Sequence, residues 1–224
     1  MIDYRDFGAR ARASSLRCVA LVRHGQRPAI SVDDPTYGEN LPLTAEGEAL
    51  ARACGRDLAA AGPGREVWAF VASRLLRTRL TAACAAEAFG AGAGDVAVSE
   101  EASLPGLWIV DQDATHRFYE AEGPVPYTDR LMRDGWAEGY RPVGESTRLA
   151  MEWVGRGFGA RCAFVATHDV FLALLMNGLG VDRFRTDRWV GFLQGCALFE
   201  RADGGWDAEF LVPDKSAPAA RYVQ

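Results

Sequence analysis

The chain lacks what several protein classes require. No apolar run is long enough to span a membrane, and residues 1–17 have no apolar core of the kind a secretory signal carries. Basic residues are in deficit, 25 Lys and Arg against 30 Asp and Glu, for a net charge of −5. Neither nucleic acid nor an anionic membrane surface is then an expected partner, since both need an excess of positive surface. The five cysteines (Cys18, Cys54, Cys84, Cys162, Cys196) are odd in number, widely scattered and without a Cys-x-x-Cys pair. Neither a disulfide framework nor a zinc site follows from them, and no metal or cofactor is expected. They read as small core residues of a protein kept in a reducing compartment, the cytoplasm. Histidine is also scarce, with three in 224 residues.

What remains is ordinary globular composition, 49% apolar and 25% charged, sufficient for one domain with a substantial core. The pattern predicts an arm at 1–17, a single α/β domain over 18–213 and a tail at 214–224. Cys18 to Val22 is a buried-strand run that leads into Arg23-His24-Gly25. Thr44 caps a predicted helix to about Ala61, with Leu50, Ala53, Cys54, Leu58 and Ala61 on its inner face. Val67 to Ala72 is a second strand, followed by a helix with Arg77 in its first turn. Val96 to Val98 is a third, short strand. The βα rhythm then breaks over about 99–143, a stretch rich in proline and aromatics that reads as an insertion or lid. Gly144-Glu145-Ser146 opens another helix, with Ser146 as its predicted cap. Cys162 to Ala166 is the next strand, ending in Thr167-His168-Asp169, and a largely apolar helix follows from Val170. Trp189–Glu200 and Trp206–Val212 read as closing strands. The predicted fold is α/β, a three-layer αβα sandwich with a mostly parallel sheet and helices on both faces.

Two of the three histidines, His24 and His168, lie immediately beyond apolar strands. If those strands are parallel neighbours, both imidazoles face one crevice at the carboxyl ends of the sheet, together with Arg23, Arg27 and Arg77. Guanidinium groups that converge repel one another unless an anion joins them, and their planar forks match phosphate oxygens. A small phosphorylated substrate is the expected guest. Neutral imidazole is a competent nucleophile near pH 7, and the arginines can neutralise the equatorial oxygens of a phosphoryl transition state. The departing alkoxide needs a proton, for which Asp169, Glu100, Glu101 and Asp111 are candidates. His116, away from any strand end, reads as a surface residue.

These residues together resemble the histidine phosphatase superfamily, which includes cofactor-dependent phosphoglycerate mutases, small phosphatases and histidine acid phosphatases. Arg23-His24-Gly25 is similar to its signature, Ser73-x-Leu75-x-Arg77-x-x-x-Thr81-Ala82 to its second motif, Gly144-Glu145-Ser146 to its third and Thr167-His168 to its fourth. The resemblance spans about 18–200. It implies a phosphoglycerate mutase-like fold and a phosphohistidine intermediate on His24, with Arg23, Arg77 and His168 holding the phosphate. Arg27 and Asp169 match the acid phosphatase branch, which implies phosphate binding by Arg27 and proton donation by Asp169. Gly-Glu-Ser matches the mutase and small-phosphatase branch, whose donor is a glutamate after the third strand; Glu101 is the alternative there. The expected activity is metal-independent hydrolysis of a phosphomonoester. The rivals are a mutase that passes the phosphoryl group to another hydroxyl, and a non-catalytic phospholigand-binding module.

Overall fold

In the computed structural model, which describes residues 1–30 and 38–215, seven strands form one sheet in the order β1-β7-β6-β2-β5-β3-β4. The strands are β1 (Ile2–Asp3), β2 (Cys18–Arg23), β3 (Trp68–Ala72), β4 (Val96–Val98), β5 (Cys162–Thr167), β6 (Gly195–Glu200) and β7 (Trp206–Val212). β2, β5, β3 and β4 run parallel, and β6 pairs antiparallel with both β2 and β7. Seven helices are described: α1 (Tyr4–Ala13), α2 (Ala45–Ala61), α3 (Leu76–Phe89), α4 (Gln112–Glu122), α5 (Pro124–Asp134), α6 (Val143–Arg156) and α7 (Asp169–Gly178). Among the described residues, no helix is long and apolar enough to cross a membrane.

Strand periodicity explains the layering. Alternate residues of a strand point to opposite faces, so a strand covered on both sides must be apolar throughout. In β2, Val19 and Leu21 join the core under α5, α6 and α7, while Cys18, Ala20 and Val22 join the core under α1, α2 and α3. β5 divides likewise, Ala163 and Val165 to one side, Cys162, Phe164 and Ala166 to the other. The predicted three-layer sandwich is the observed one. All five cysteines are free and buried.

Several local expectations are corrected. Residues 1–17 are no solvated arm. β1 pairs in parallel with β7, and Asp3 caps α1 by accepting from the Asp6 amide at 2.9 Å. Tyr4, Phe7 and Ala11 recur at helical spacing, three and four residues apart, and are fully buried. Charged residues on the other face of that short helix mask this stripe in the sequence. The tail expected at 214–224 lies mostly outside the described residues; within them, Lys215 turns back to pair with Asp3 and Asp6.

The inner face of α2 is rotated from the predicted one and centres on Ala51, Cys54, Gly55 and Leu58. Small residues win there because α3 crosses closely, and a Cβ on Gly55 would run into the Ala85 backbone carbonyl. Ser146 does not cap α6. Pro142 sits at the N-cap, and Ser146 is buried inside the helix. The aromatic-rich insertion carries α4 and α5, and its Trp108, Tyr127 and Tyr140 belong to the core, with Trp108 packed edge-on against Phe171 of α7. The strand expected from Trp189 begins only at Gly195, because residues 189–194 form a turn that serves the site.

Candidate active site

The sheet delivers the predicted residues to one place because β2, β5 and β3 are parallel and adjacent. Arg23 pairs with Thr167 in register, and Ala72 with Ala166, so the three strands end level. The amides just beyond continue the ladder: His24 N donates to Thr167 O at 3.0 Å, and Ser73 N to Ala166 O at 3.1 Å. His24 and His168 therefore emerge side by side, ring centroids 5.8 Å apart, and both are buried.

A close backbone crossing fixes the turn after His24. A Cβ on Gly25 would lie 2.9 Å from the Gly47 carbonyl at the start of α2, so glycine is required. The Gly25 amide donates to Thr81 Oγ1 at 2.8 Å, and that hydroxyl donates to the Arg77 carbonyl at 2.7 Å. His24 Nδ1 lies 2.8 Å from the Gly25 carbonyl. A carbonyl can only accept, so in the neutral ring Nδ1 carries the proton and Nε2 keeps its lone pair. Burial, followed by the charges of Arg23 and Arg77, holds His24 well below its ordinary pKa. The ring stays neutral, with Nε2 unprotonated.

His168 is held by Ser73, whose Oγ lies 2.9 Å from Nε2 and 2.8 Å from Thr78 Oγ1. Burial and the positive charge of Arg77 push its pKa down to about 3, against the opposing pull of Asp169.

Three arginines close the set. Arg23 donates to the Val190 carbonyl at 2.6 Å, pairs with Asp169 at 3.0 Å, and stacks 4.4 Å from the centre of the Phe192 ring. Arg77 donates to the Gly38 carbonyl at 2.8 Å. Burial, then the neighbouring charges of Arg27 and Arg23, lower its pKa to about 10, because like charges so close oppose one another. Arg27 also acts on His168 through its charge, which places it in the same cluster. Among the described residues, the buried Nε–H groups of Arg23 and Arg77 have no protein acceptor. Buried donors are normally satisfied, and a tetrahedral oxyanion would supply acceptors to both.

The carboxylates fall elsewhere than expected. Asp169 accepts from the Val170 amide at 2.9 Å, from Trp189 Nε1 at 3.1 Å and from Arg23. Burial would raise its pKa, but Arg23 and the two hydrogen bonds outweigh it and hold the group below its ordinary value. It is held ionised between Arg23 and Trp189, so that it braces Arg23, an arrangement that does not favour proton donation. Glu101 accepts from Ser99 Oγ at 2.9 Å and pairs with Arg156 at 3.1 Å on the outer surface, away from the cavity. Glu100 is exposed, and Asp111 caps α4 by accepting from the Ala114 amide at 2.9 Å. Local sequence could not show this: the third strand ends near the site, but the turn after it faces Ala102 inward and Glu101 outward. His116 pairs with Glu120 at 3.1 Å on the surface of α4, as expected.

A cavity of about 240 Å³ opens over His168 and Arg77, lined also by Glu39, Arg74, Leu75, Ser103, Leu104 and Pro105. Glu39, Ser103, Trp189 and Phe192 were not among the sequence candidates. Trp189 and Phe192 belong to the turn that precedes β6, where the sequence shows only an apolar run. Among the described residues, no three His, Cys, Asp or Glu side chains gather to hold a metal ion.

A family model described as the histidine phosphatase superfamily (branch 1) matches residues 19–211. Solved structures with the same fold include one described as mycobacterial hydrolase 2, at TM-score 0.56 and 16% identity, covering 93% of this chain and 93% of that one. A mycobacterial glucosyl-3-phosphoglycerate phosphatase in its native form gives TM-score 0.54 and 17% identity, covering 87% and 98% of the two chains. The mycobacterial enzyme of that name in complex with inorganic phosphate gives 0.52 and 18%, covering 88% and 96%. No curated protein sequence matches the chain.

Proposed function

Because the chain belongs to the histidine phosphatase superfamily, we propose that it hydrolyses a small phosphomonoester through a phosphohistidine on His24, without a metal. One observation carries the reading: a neutral imidazole, its Nδ1 directed at the Gly25 carbonyl, stands in a cluster of three arginines, and among the described residues the buried Nε–H groups of Arg23 and Arg77 have no acceptor. A cluster of that charge is unstable by itself and is matched by a phosphoryl group.

The phosphoryl oxygens are held by Arg23, Arg77, Arg27 and His168. His24 Nε2 attacks phosphorus opposite the ester oxygen, and the Gly25 carbonyl stabilises the imidazolium that forms by accepting from Nδ1. The arginines neutralise charge on the equatorial oxygens, where most of the catalysis in phosphoryl transfer resides. Water then cleaves the phosphohistidine. The cavity volume of about 240 Å³ supports a small metabolite as substrate. Its far wall, Ser103 to Pro105, belongs to the insertion at 99–143 and is the part placed to read the leaving group. Five free, buried cysteines support a cytoplasmic setting.

The test is a screen of many phosphomonoesters with wild type and His24→Ala, chelator present, followed by trapping of labelled enzyme. Activity should appear with chelator, vanish in His24→Ala, and leave label on His24 that transfers to water. Activity that survives in His24→Ala, or that chelator abolishes, refutes the reading; label passed to an acceptor hydroxyl makes the protein a mutase.

A further inference from the structure

The proposed hydrolysis, on which this inference rests, requires a proton for the departing alkoxide, and the structure turns every carboxylate suggested by the sequence away from that task. Asp169 has both oxygens engaged, Glu101 is bound to Arg156 and Ser99, Glu100 is exposed, and Asp111 caps a helix. Among the described residues, one carboxylate lines the cavity with His168 and Arg77: Glu39. We infer that Glu39 is the general acid that protonates the leaving-group oxygen and, once ionised, the base that takes a proton from the hydrolytic water.

The backbone on both sides of this carboxylate is fastened to the phosphate-binding helix. The Glu39 carbonyl accepts from the Leu76 amide at 3.3 Å, and the Gly38 carbonyl accepts from Arg77 Nη1 at 2.8 Å. Gly38 has φ +73°, and a Cβ there would lie 2.8 Å from Ile30 Cγ1, so the turn needs glycine at that position. The consequence is a glutamate held beside Arg77, whose guanidinium feels its charge.

The bonds balance in both steps. In the first, the His24 Nε2 lone pair forms the N–P bond. The P–O ester bond breaks with its electron pair on oxygen, which takes the Glu39 proton and leaves as the alcohol. In the second, a water oxygen bonds to phosphorus while Glu39 accepts one of its protons. The N–P bond breaks with its pair returned to Nε2, and inorganic phosphate leaves a protonated Glu39 and a neutral His24 behind.

The experiment compares wild type, Glu39→Gln and Glu39→Asp on p-nitrophenyl, phenyl and ethyl phosphate, whose leaving groups grow steadily more basic. General acid catalysis contributes about 10²- to 10⁴-fold where the leaving group needs it. Glu39→Gln should lower kcat/KM for ethyl phosphate at least about 100-fold more than for p-nitrophenyl phosphate, with Glu39→Asp between it and wild type. Turnover of the nitrophenyl ester and labelling of His24 report that the variants are folded. Equal loss on all three esters, or none, overturns Glu39 as the acid while leaving the phosphohistidine reading intact. Failure of wild type to label His24 overturns that reading and takes this inference with it.

Discussion

Replacing Asp169 by asparagine separates a carboxylate that braces Arg23 from one that gives up a proton. The side chains of Arg23 and Asp169 are only 12% and 20% exposed, so solvent screens their pairing weakly. Asparagine keeps the size and can still accept from Trp189 Nε1 or the Val170 amide, but it removes the charge opposite Arg23. A hydrogen bond to a charged group contributes about 1.5–3 kcal/mol, and about 1.4 kcal/mol is a tenfold change. Arg23 remains tethered to the Val190 carbonyl and to Phe192, so it is loosened rather than released. Asp169→Asn should therefore lower kcat/KM by roughly 10- to 100-fold, by the same factor for p-nitrophenyl and ethyl phosphate. Steady-state kinetics on both esters is the assay, with thermal unfolding to show the loss of the ion pair as a lowered Tm. A loss on ethyl phosphate that exceeds the loss on the nitrophenyl ester by about 100-fold would return the donor role to Asp169 and refute the argument from its engaged oxygens.

The two site histidines set an acid limit on stability. Each titrates near about 6.5 when unfolded, whereas in the fold His24 lies well below that value and His168 lies at about 3. Between those values the unfolded chain binds more protons, so stability is complete above about pH 6.5 and falls as pH falls below it, by up to roughly 1.4 kcal/mol per pH unit for each histidine. Asp169, whose pKa is lowered, adds its own loss only as pH falls below about 3.9. Urea unfolding of wild type and His168→Asn at pH 7, 6 and 5 should show a shallower dependence in the variant; identical slopes would contradict the burial of a neutral His168. At the N-terminus, Phe7→Ala removes a fully buried ring that packs on Phe199 and Trp68. It should cost about 3–5 kcal/mol in denaturant unfolding, against a negligible cost if residues 1–17 were a solvated arm.

Much of the site was legible because its residues lie at the ends of strands. An apolar run followed by Arg-His-Gly, and another followed by Thr-His, each signals a side chain at a sheet edge, and parallel pairing of β2 with β5 does the rest. Arg77 was legible for a similar reason, as a charge in the first turn of a helix that leaves the neighbouring strand. The N-terminal helix was less so. Its stripe of Tyr4, Phe7 and Ala11 is short, and the surrounding arginines and aspartates dominate the local composition.

What the sequence determined by itself was the central strands, most of the helices that flank them, and the residues that gather beyond the strand ends, since these follow from local periodicity and from which residues come just after buried strands. Which carboxylate lines the cavity was decided only in three dimensions. Asp169 is adjacent to His168 in the chain, yet Arg23 and Trp189, distant in sequence, claim its oxygens. Glu39 lies fifteen positions from His24 and far from every other motif, yet α3 holds its backbone at the cavity. A charged side chain goes where its counter-charges and hydrogen bonds stabilise it, and those partners meet only when the sheet and the helices around it have assembled.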